Sequence, residues 1–299
     1  MIYDIKLRIA YDYANAAVGG RHVICLRPLD LARVQRVISV RLSVDPAPEE
    51  WQERLDFFEN HVAEFSFGGP HDHVAVGLDA RIERMPQMPS QAVSVAMKDL
   101  APLLARLRDL GPQSPLHFTC ASTRVPMDAD MTAFAAALVK PGMTVAAVVR
   151  AVGKALHRHM KFDGKATTVD TPAAEAFIKR RGVCQDFSHI MIACLRGVGI
   201  PSGYVSGFLR TLPPPGKPRL EGADAMHAWM RAWAGPDLGW MEFDPTNDME
   251  SGTDHVAVAF GRDYSDVVPI KGTMRMSGRQ KHHQAVDMIP LIPPPQESV

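Results

Sequence analysis

The stretch Arg180-Arg181-Gly182-Val183-Cys184-Gln185-Asp186-Phe187-Ser188-His189 places a cysteine where a helix should begin. Phe187, Ile190, Met191, Cys194, Leu195 and Val198 follow at helical spacing, and Gly199, Ile200 and Pro201 close the helix. In the first turn the backbone N–H groups have no acceptor and the helix dipole favours an anion. The thiolate is the reactive form of cysteine, so the position suits a nucleophile, and the same N–H groups could hold an oxyanion formed on attack. Gly182 leaves room beside it for a substrate backbone. A buried structural cysteine is the alternative at Cys184. For Cys194, mid-helix on the apolar stripe, the structural role is the expected one.

Such a nucleophile needs a base and something to orient it. Met226-His227-Ala228-Trp229-Met230-Arg231-Ala232-Trp233, a turn-rich piece over 234–239, and Trp240-Met241-Glu242-Phe243-Asp244-Pro245 read as a β-hairpin. If Trp233 pairs with Trp240, Arg231 pairs with Glu242 and Trp229 with Asp244. His227 and Asp244 are then diagonal neighbours on one face, and a two-residue shift would put them directly opposite. A carboxylate beside an imidazole fixes its tautomer and steadies the imidazolium. A surface His–Asp pair is the alternative. Trp229 and Trp240 either line the cleft or fill the hairpin core. Asp186 is read as support for the helix start rather than as a catalytic acid.

Upstream, Tyr3, Ile5, Leu7, Ile9, Tyr11 and Tyr13 alternate with polar residues, as do Ile38 to Val44 and Val74 to Ile82, with a shorter set at His61 to Phe67. This predicts an antiparallel β domain over 1–90 that ends near Pro86–Pro89. Val95, Leu100, Leu103, Leu104 and Leu107 indicate a helix in a linker over 91–127. Residues 128–299 form the catalytic region. It holds helices at Met131–Lys140, after a Thr144 cap, and after Thr171–Pro172, and strands at His255–Phe260 and Gln284–Ile289. Pro290–Pro295 suggests a disordered end.

The 299 residues suffice for two domains, and 46% hydrophobic with 22% charged residues is ordinary for a globular protein. Lys plus Arg equals Asp plus Glu, 33 against 33, so no global field draws the chain to nucleic acid or an anionic membrane. Asp4 and Lys6 interrupt the apolar core a signal peptide would need, which predicts a cytoplasmic protein with four free thiols. No CxxC pair, phosphate loop or calcium loop is present. His71-Asp72-His73 reads as a polar hairpin turn rather than a metal site, and no cofactor or metal is expected.

RRGVCQDFSHIMIACLRGVGIPSGYVSGFL, DAMHAWMRAW and LGWMEFDPTND, in that order, resemble the three catalytic blocks of the transglutaminase-like fold. The CQDF, HAW and FDPTN versions resemble the bacterial transglutaminase-like group, commonly described as cysteine proteases. KFDGKATTVDTPAAEAF, HVAVAFGRDYSDVVPIKG and the N-terminal β region extend the likeness over nearly the whole chain. The resemblance implies an α+β fold: an N-terminal antiparallel β domain, then a papain-like core whose cysteine helix packs on an antiparallel sheet bearing His and Asp. It implies that Cys184 is the nucleophile, His227 the general base and then acid, and Asp244 the orienting carboxylate. It also implies a thiol hydrolase acting on a peptide, a protein isopeptide or a small amide; transfer of the acyl group to an amine and a catalytically silent binding module are the alternatives. Met226 stands where relatives more often carry a small polar residue. Arg231 and Trp233 replace a β-branched pattern, which bears on the pocket wall. Animal transglutaminases carry an upstream tryptophan that supports the transition state. The helix after Thr144 has none, which leaves Gln185 as the guess for a second oxyanion donor.

Overall fold

The computed structural model describes residues 1–86, 92–211 and 224–291. Four strands come first: β1 (Ile2–Ile24), β2 (Gln35–Asp45), β3 (Glu50–Leu55) and β4 (His61–Arg84). The helical part comprises α1 (Met97–Arg106), a short 3-10 turn at Pro115–Phe118, α2 (Ala129–Ala136), α3 (Val145–His159), β5 (Lys161–Phe162), α4 (Ala173–Lys179), β6 (Arg181–Gly182) and α5 (Cys184–Gly197). Then come β7 (Ser202–Leu209), β8 (Ala225–Trp233), β9 (Trp240–Asp244), β10 (Met249–Glu250), β11 (His255–Gly261), β12 (Ile270–Arg275) and β13 (Gln280–Leu291). The fold is α+β, with α5 packed on a five-stranded antiparallel sheet of order β10-β9-β8-β7-β11.

The alternation in the first strand is realised as burial: Tyr3, Ile5, Leu7 and Ile9 are all within the core while Lys6 and Arg8 are exposed. β1 and β4 are much longer than their apolar patterns suggested, because each continues through Gly-containing irregularities, at Gly19–Gly20 and Gly68–Gly69. His71-Asp72-His73 therefore lies inside β4 and is not a hairpin turn. His71 is buried there, and His73 pairs with Asp72 and Asp45.

The last strands differ from expectation in their partners. β12 and β13 both pair antiparallel with β1, completing a six-stranded sheet with β2, β3 and β4. Residues 270–291, expected with the catalytic region, thus belong by hydrogen bonding to the N-terminal sheet. Period-two alternation marks a strand but not the edge it will join. Pro290 and Leu291 lie within β13; the rest of the proline-rich end, like the expected boundary beyond Pro86, falls outside the described residues. No helix among the described residues is long and apolar enough to cross a membrane.

Two buried amides join the sheets. Gln35 donates to the Leu29 and Ala257 carbonyls and accepts from the Ala257 N–H, at 2.7, 2.8 and 2.9 Å. Asn60 exchanges two bonds of 2.8 Å with Phe260. Each side chain does for β11 what a neighbouring strand would do, so this edge carries fewer orphaned groups. Behind the same strand, Gly207 of β7 lies opposite both Ala257 and His227. A Cβ at Gly207 would overlap the Val256 carbonyl and the Trp229 ring. Gly207→Ala should therefore cost roughly 1–3 kcal/mol through overpacking. Urea unfolding checks this, and an unchanged midpoint would mean that the backbone yields freely there.

Candidate active site

Residues 186–196 of α5 are all buried, so the helix runs through the core. Phe187, Ile190, Met191 and Leu195 are each at most 1% exposed, and each such side chain contributes on the order of 1.5–3 kcal/mol of burial. The C-terminus ends as the sequence predicts, with Gly199 at φ +84° and the Ile200 N–H returning to the Leu195 carbonyl.

At the N-terminus Asp186 accepts from the Val183 N–H and from the Thr167 hydroxyl, both at 2.7 Å. Burial pushes its carboxyl up, against the pull of those two donors. It is a support for the helix start, as the sequence suggested. The parallel β5–β6 pair, Lys161 with Arg181 and Phe162 with Gly182, ties the chain entering the helix to the end of α3. Cys184 is thereby held at the first helical position, half-buried, with its own N–H and that of Gln185 ahead of the first intrahelical donor.

Of the two registers the sequence left open, the hairpin takes the one with Trp233 opposite Trp240 and Arg231 opposite Glu242. His227 and Asp244 meet, Nε2 to Oδ2, at 2.7 Å. Cys184 lies close enough to the same imidazole to help raise it. With Nε2 committed to Asp244, Nδ1 is the nitrogen left for the sulfur. Burial pushes the His227 imidazole down, but its bonds to Asp244 and Cys184 and their charges outweigh that and lift it to about 10. His227 therefore carries its proton at neutral pH.

Asp244 is fully buried, an arrangement that needs donors to hold the charge. Oδ1 accepts from the Thr246 and Asn247 N–H groups at 2.9 and 3.2 Å. Oδ2 accepts from Asn247 Nδ2 at 2.7 Å, from His227, and from His255 Nε2 at 3.2 Å. Burial alone would raise this carboxyl; the imidazoles and the Asn247 amide hold it far below the usual carboxylate range.

The candidates outside this chain of contacts are placed as follows. Trp229 is 0% exposed and spends its indole N–H on Glu242 at 2.7 Å, so it neither lines a cleft nor offers an oxyanion donor. The Gln185 amide donates to the Val169 carbonyl at 3.0 Å. Arg231, expected at the pocket wall, is instead buried among Phe118, Trp240 and Phe260, 4.9, 4.4 and 4.2 Å from their ring centres. A guanidinium stacks on aromatic faces at a smaller desolvation cost than an ammonium, which allows an arginine where β-branched residues were expected. His189 accepts from the Tyr264 N–H, and burial pushes it down to about 4, so it stays neutral.

The sequence reading missed His255 as a member of the site. It is 0% exposed, and the Gly252 N–H points at its Nδ1 at 3.3 Å. The available signal was a histidine at the head of the apolar run His255–Phe260, just past the hairpin. His227, Asp244 and His255 bring ligand atoms within 4.8 Å of one another, a spacing that a metal ion could use. The Gly252 N–H argues otherwise. It keeps the Nδ1 lone pair occupied and the proton on Nε2, the nitrogen a metal would need bare.

Residues 3–83 match the model of the bacterial transglutaminase-like N-terminal region, and residues 132–245 match that of the transglutaminase-like superfamily. An uncharacterised protein of Mycobacterium tuberculosis H37Rv is 31% identical over 298 residues, spanning 97% of this chain and 93% of its own. The chain belongs to the bacterial transglutaminase-like family. An uncharacterised Mycobacterium leprae protein is likewise 31% identical, over 88% of this chain and 89% of its own. The fold is similar to that in the crystal structure of a putative cysteine protease from Cytophaga hutchinsonii. It superposes with a TM-score of 0.77 at 19% identity, over 98% of this chain and 92% of that one.

Membership leaves the reactive cysteine to be tested directly. Cys25 and Cys194 are buried, and burial pushes both thiols up to about 12. Cys120 is exposed but is not seated at a helix start beside an imidazolium. Brief iodoacetamide treatment followed by peptide mapping should label Cys184 first. Faster labelling of Cys120 would show that exposure, not the site, governs reactivity.

Proposed function

We propose that this transglutaminase-like protein is a thiol hydrolase that cleaves a peptide or isopeptide amide through a thioester on Cys184. The observation that carries the reading is the 2.7 Å bond from His227 to a fully buried, multiply held Asp244, with Cys184 at the helix start acting on the same imidazole. Asp244 pins the imidazole and stabilises its charge; the raised His227 keeps the proton that the leaving group will need.

In the first half, the Cys184 sulfur attacks the amide carbonyl carbon. The carbonyl oxygen takes the electron pair and is met by the Cys184 N–H at the helix start. The C–N bond then breaks, and the His227 proton goes to the departing amine. In the second half, neutral His227 removes a proton from water, and the water oxygen attacks the thioester carbonyl. The C–S bond breaks, the acid leaves, and the Cys184–His227 pair is restored. No cofactor is required by this sequence of steps.

Transfer to an amine shares the first half and differs only in what attacks the thioester. It requires an amine held in line while water is kept out. Water is the expected acceptor, since no acceptor-binding motif is legible. The test is partitioning: a turned-over acyl donor is supplied with a millimolar primary amine, and free acid is measured against amide product. Mostly acid is expected. Mostly amide would make the protein an acyltransferase, and no acylated Cys184 by mass spectrometry would remove the thioester mechanism altogether.

A further inference from the structure

We infer that His255 is a positioning residue for the Cys184–His227–Asp244 chain, acting through the Asp244 carboxylate, and that the N-terminal sheet holds it in place. The inference rests on the proposed role of those three residues. Both imidazoles address the same oxygen: His227 Nε2 lies 2.7 Å and His255 Nε2 3.2 Å from Asp244 Oδ2. Among the described residues no hydrogen bond joins His255 to Cys184, and its ring lies 6.3 Å from that of His227. Its effect must pass through the direction and charge of Asp244.

The tautomer of His255 is set from behind. The Gly252 N–H meets Nδ1, which leaves Nε2 as the donor to Asp244. Gly252 is itself held by its carbonyl, which accepts from Arg84 Nη2 at 2.9 Å. Arg84 ends β4 and is buried, 3% exposed. One residue before His255, Asp254 accepts from the Tyr3 hydroxyl of β1 at 2.5 Å, and Arg210 lies 3.5 Å from the same oxygen. Gln35 and Asn60 fasten the rest of β11. Four residues of the N-terminal region, Tyr3, Gln35, Asn60 and Arg84, thus converge on the short segment that delivers His255 and the strand behind it, with Arg210 joining from the end of β7.

The ring is also wedged. Trp229 meets it edge-on, with centroids 5.1 Å apart at 77°, and stacks on His227 at 6.0 Å and 28°. Trp229 is in turn anchored on Glu242. The charged and titratable groups around His255 are therefore Asp244 from β9, His227 from β8, Asp254 beside it, and Arg84 through Gly252. Without the His255 donor, Asp244 Oδ2 keeps the Asn247 amide and His227 but loses its third partner, so the carboxylate is freer to turn and easier to protonate. His227 is then held less firmly against the sulfur, and an imidazolium less well placed stabilises the reactive thiolate less, so a higher pH is needed to form it.

The experiment needs no substrate. The second-order rate of Cys184 alkylation by iodoacetamide is measured against pH in the wild-type protein, His255→Phe, His255→Gln and Asp244→Asn. Phe keeps the packing on Trp229 and removes the donor; Gln can present an amide N–H in place of Nε2. His255→Phe should move the acidic limb of the profile to higher pH by roughly half a unit or more, and His255→Gln should restore much of the shift. Thermal melts confirm folding. If His255→Phe does not fold, His255→Leu takes its place: a shifted profile in His255→Leu that His255→Gln restores supports the donor role, and a wild-type profile in both overturns it. Profiles that coincide for all His255 variants overturn the inference. If Asp244→Asn moves the profile and the His255 variants do not, only the role of His255 falls. If Asp244→Asn also leaves it unmoved, the underlying reading of the site falls with it. Stoichiometric zinc that protects Cys184 in the wild type but not in His255→Phe would also overturn it, making the three side chains a metal site.

Discussion

Cys184→Ala should abolish turnover, by a factor on the order of 10⁵–10⁶ if the other groups remain in place, as removal of a nucleophile does in hydrolases built on a triad. Every bond change in the proposed reaction passes through the sulfur. What survives is whatever the N–H groups at the helix start and the imidazole contribute to direct attack by water, and His227 is poorly suited to that role because it begins protonated. The stability of the variant separates this from collapse of the site. Cys184 is only half-buried, and α5 is secured by Phe187, Ile190, Met191 and Leu195 and by the Asp186 bonds to Val183 and Thr167. Removing one sulfur at its tip should shift the melting temperature by a few degrees at most (~1 kcal/mol). A folded Cys184→Ala protein that keeps a tenth of the wild-type rate would mean that the acyl group never resides on this residue. Histidine should also respond. The Cys184 contact is among the causes that raise His227, so its titration should move down in the variant.

The parts of this site that were legible in the sequence are those fixed by local rules. Helix α5 ends where Gly199 and Pro201 demand it, and its buried stripe follows helical spacing. Alternation on the two hairpin strands put His227 and Asp244 on one face in either of two registers, and the structure takes the one with Trp233 opposite Trp240. What was not legible depends on choice of partner. β13 reads as a strand, yet nothing in its residues names β1 as its neighbour. Arg231 reads as a polar pocket residue, and the arrival of Phe118, Phe260 and the Gln113 side-chain oxygen from distant segments makes its burial tolerable. His255 reads as the first residue of an apolar strand. Its reach to Asp244 is a tertiary contact made across the sheet, since β8 and β7 lie between β9 and β11, and the segment before it is held at Gly252 by Arg84 of β4. The length of β1 and β4 was hidden for a different reason: glycine pairs normally interrupt strands, and here the neighbouring strands carry the ladder across them.

Asp244→Asn is the sharper test of how the site works, because it alters no volume and leaves the hairpin intact. The asparagine oxygen can still accept from the Thr246 and Asn247 N–H groups, so the amide nitrogen is turned toward His227 and His255. Both imidazoles present an N–H at that point in the wild type, and a donor would now face a donor. His255 has little freedom to adapt, since the Gly252 N–H already occupies its Nδ1. His227 has more. It can shift its proton to Nδ1 and accept from the asparagine through Nε2, but it then presents an N–H to Cys184 as a neutral ring. The sulfur loses its charged partner, and the base needed for deacylation has its lone pair on the wrong side. A loss of 10²–10⁴ in kcat is expected, on the order of that produced by the same tautomer error in other triads. The sign of the pH effect on stability follows from the depressed Asp244 carboxyl. A group whose folded-state pKa lies below its unfolded value of about 3.9 stabilises the fold above that pH and ceases to do so in acid. The wild-type protein should therefore lose stability more steeply than Asp244→Asn as the pH is lowered below about 5, and the two melting curves should approach one another. A folded Asp244→Asn enzyme with kcat within about threefold of wild type, or a constant difference in melting temperature down to acid pH, would remove Asp244 from the mechanism and leave His227 to be oriented by something else.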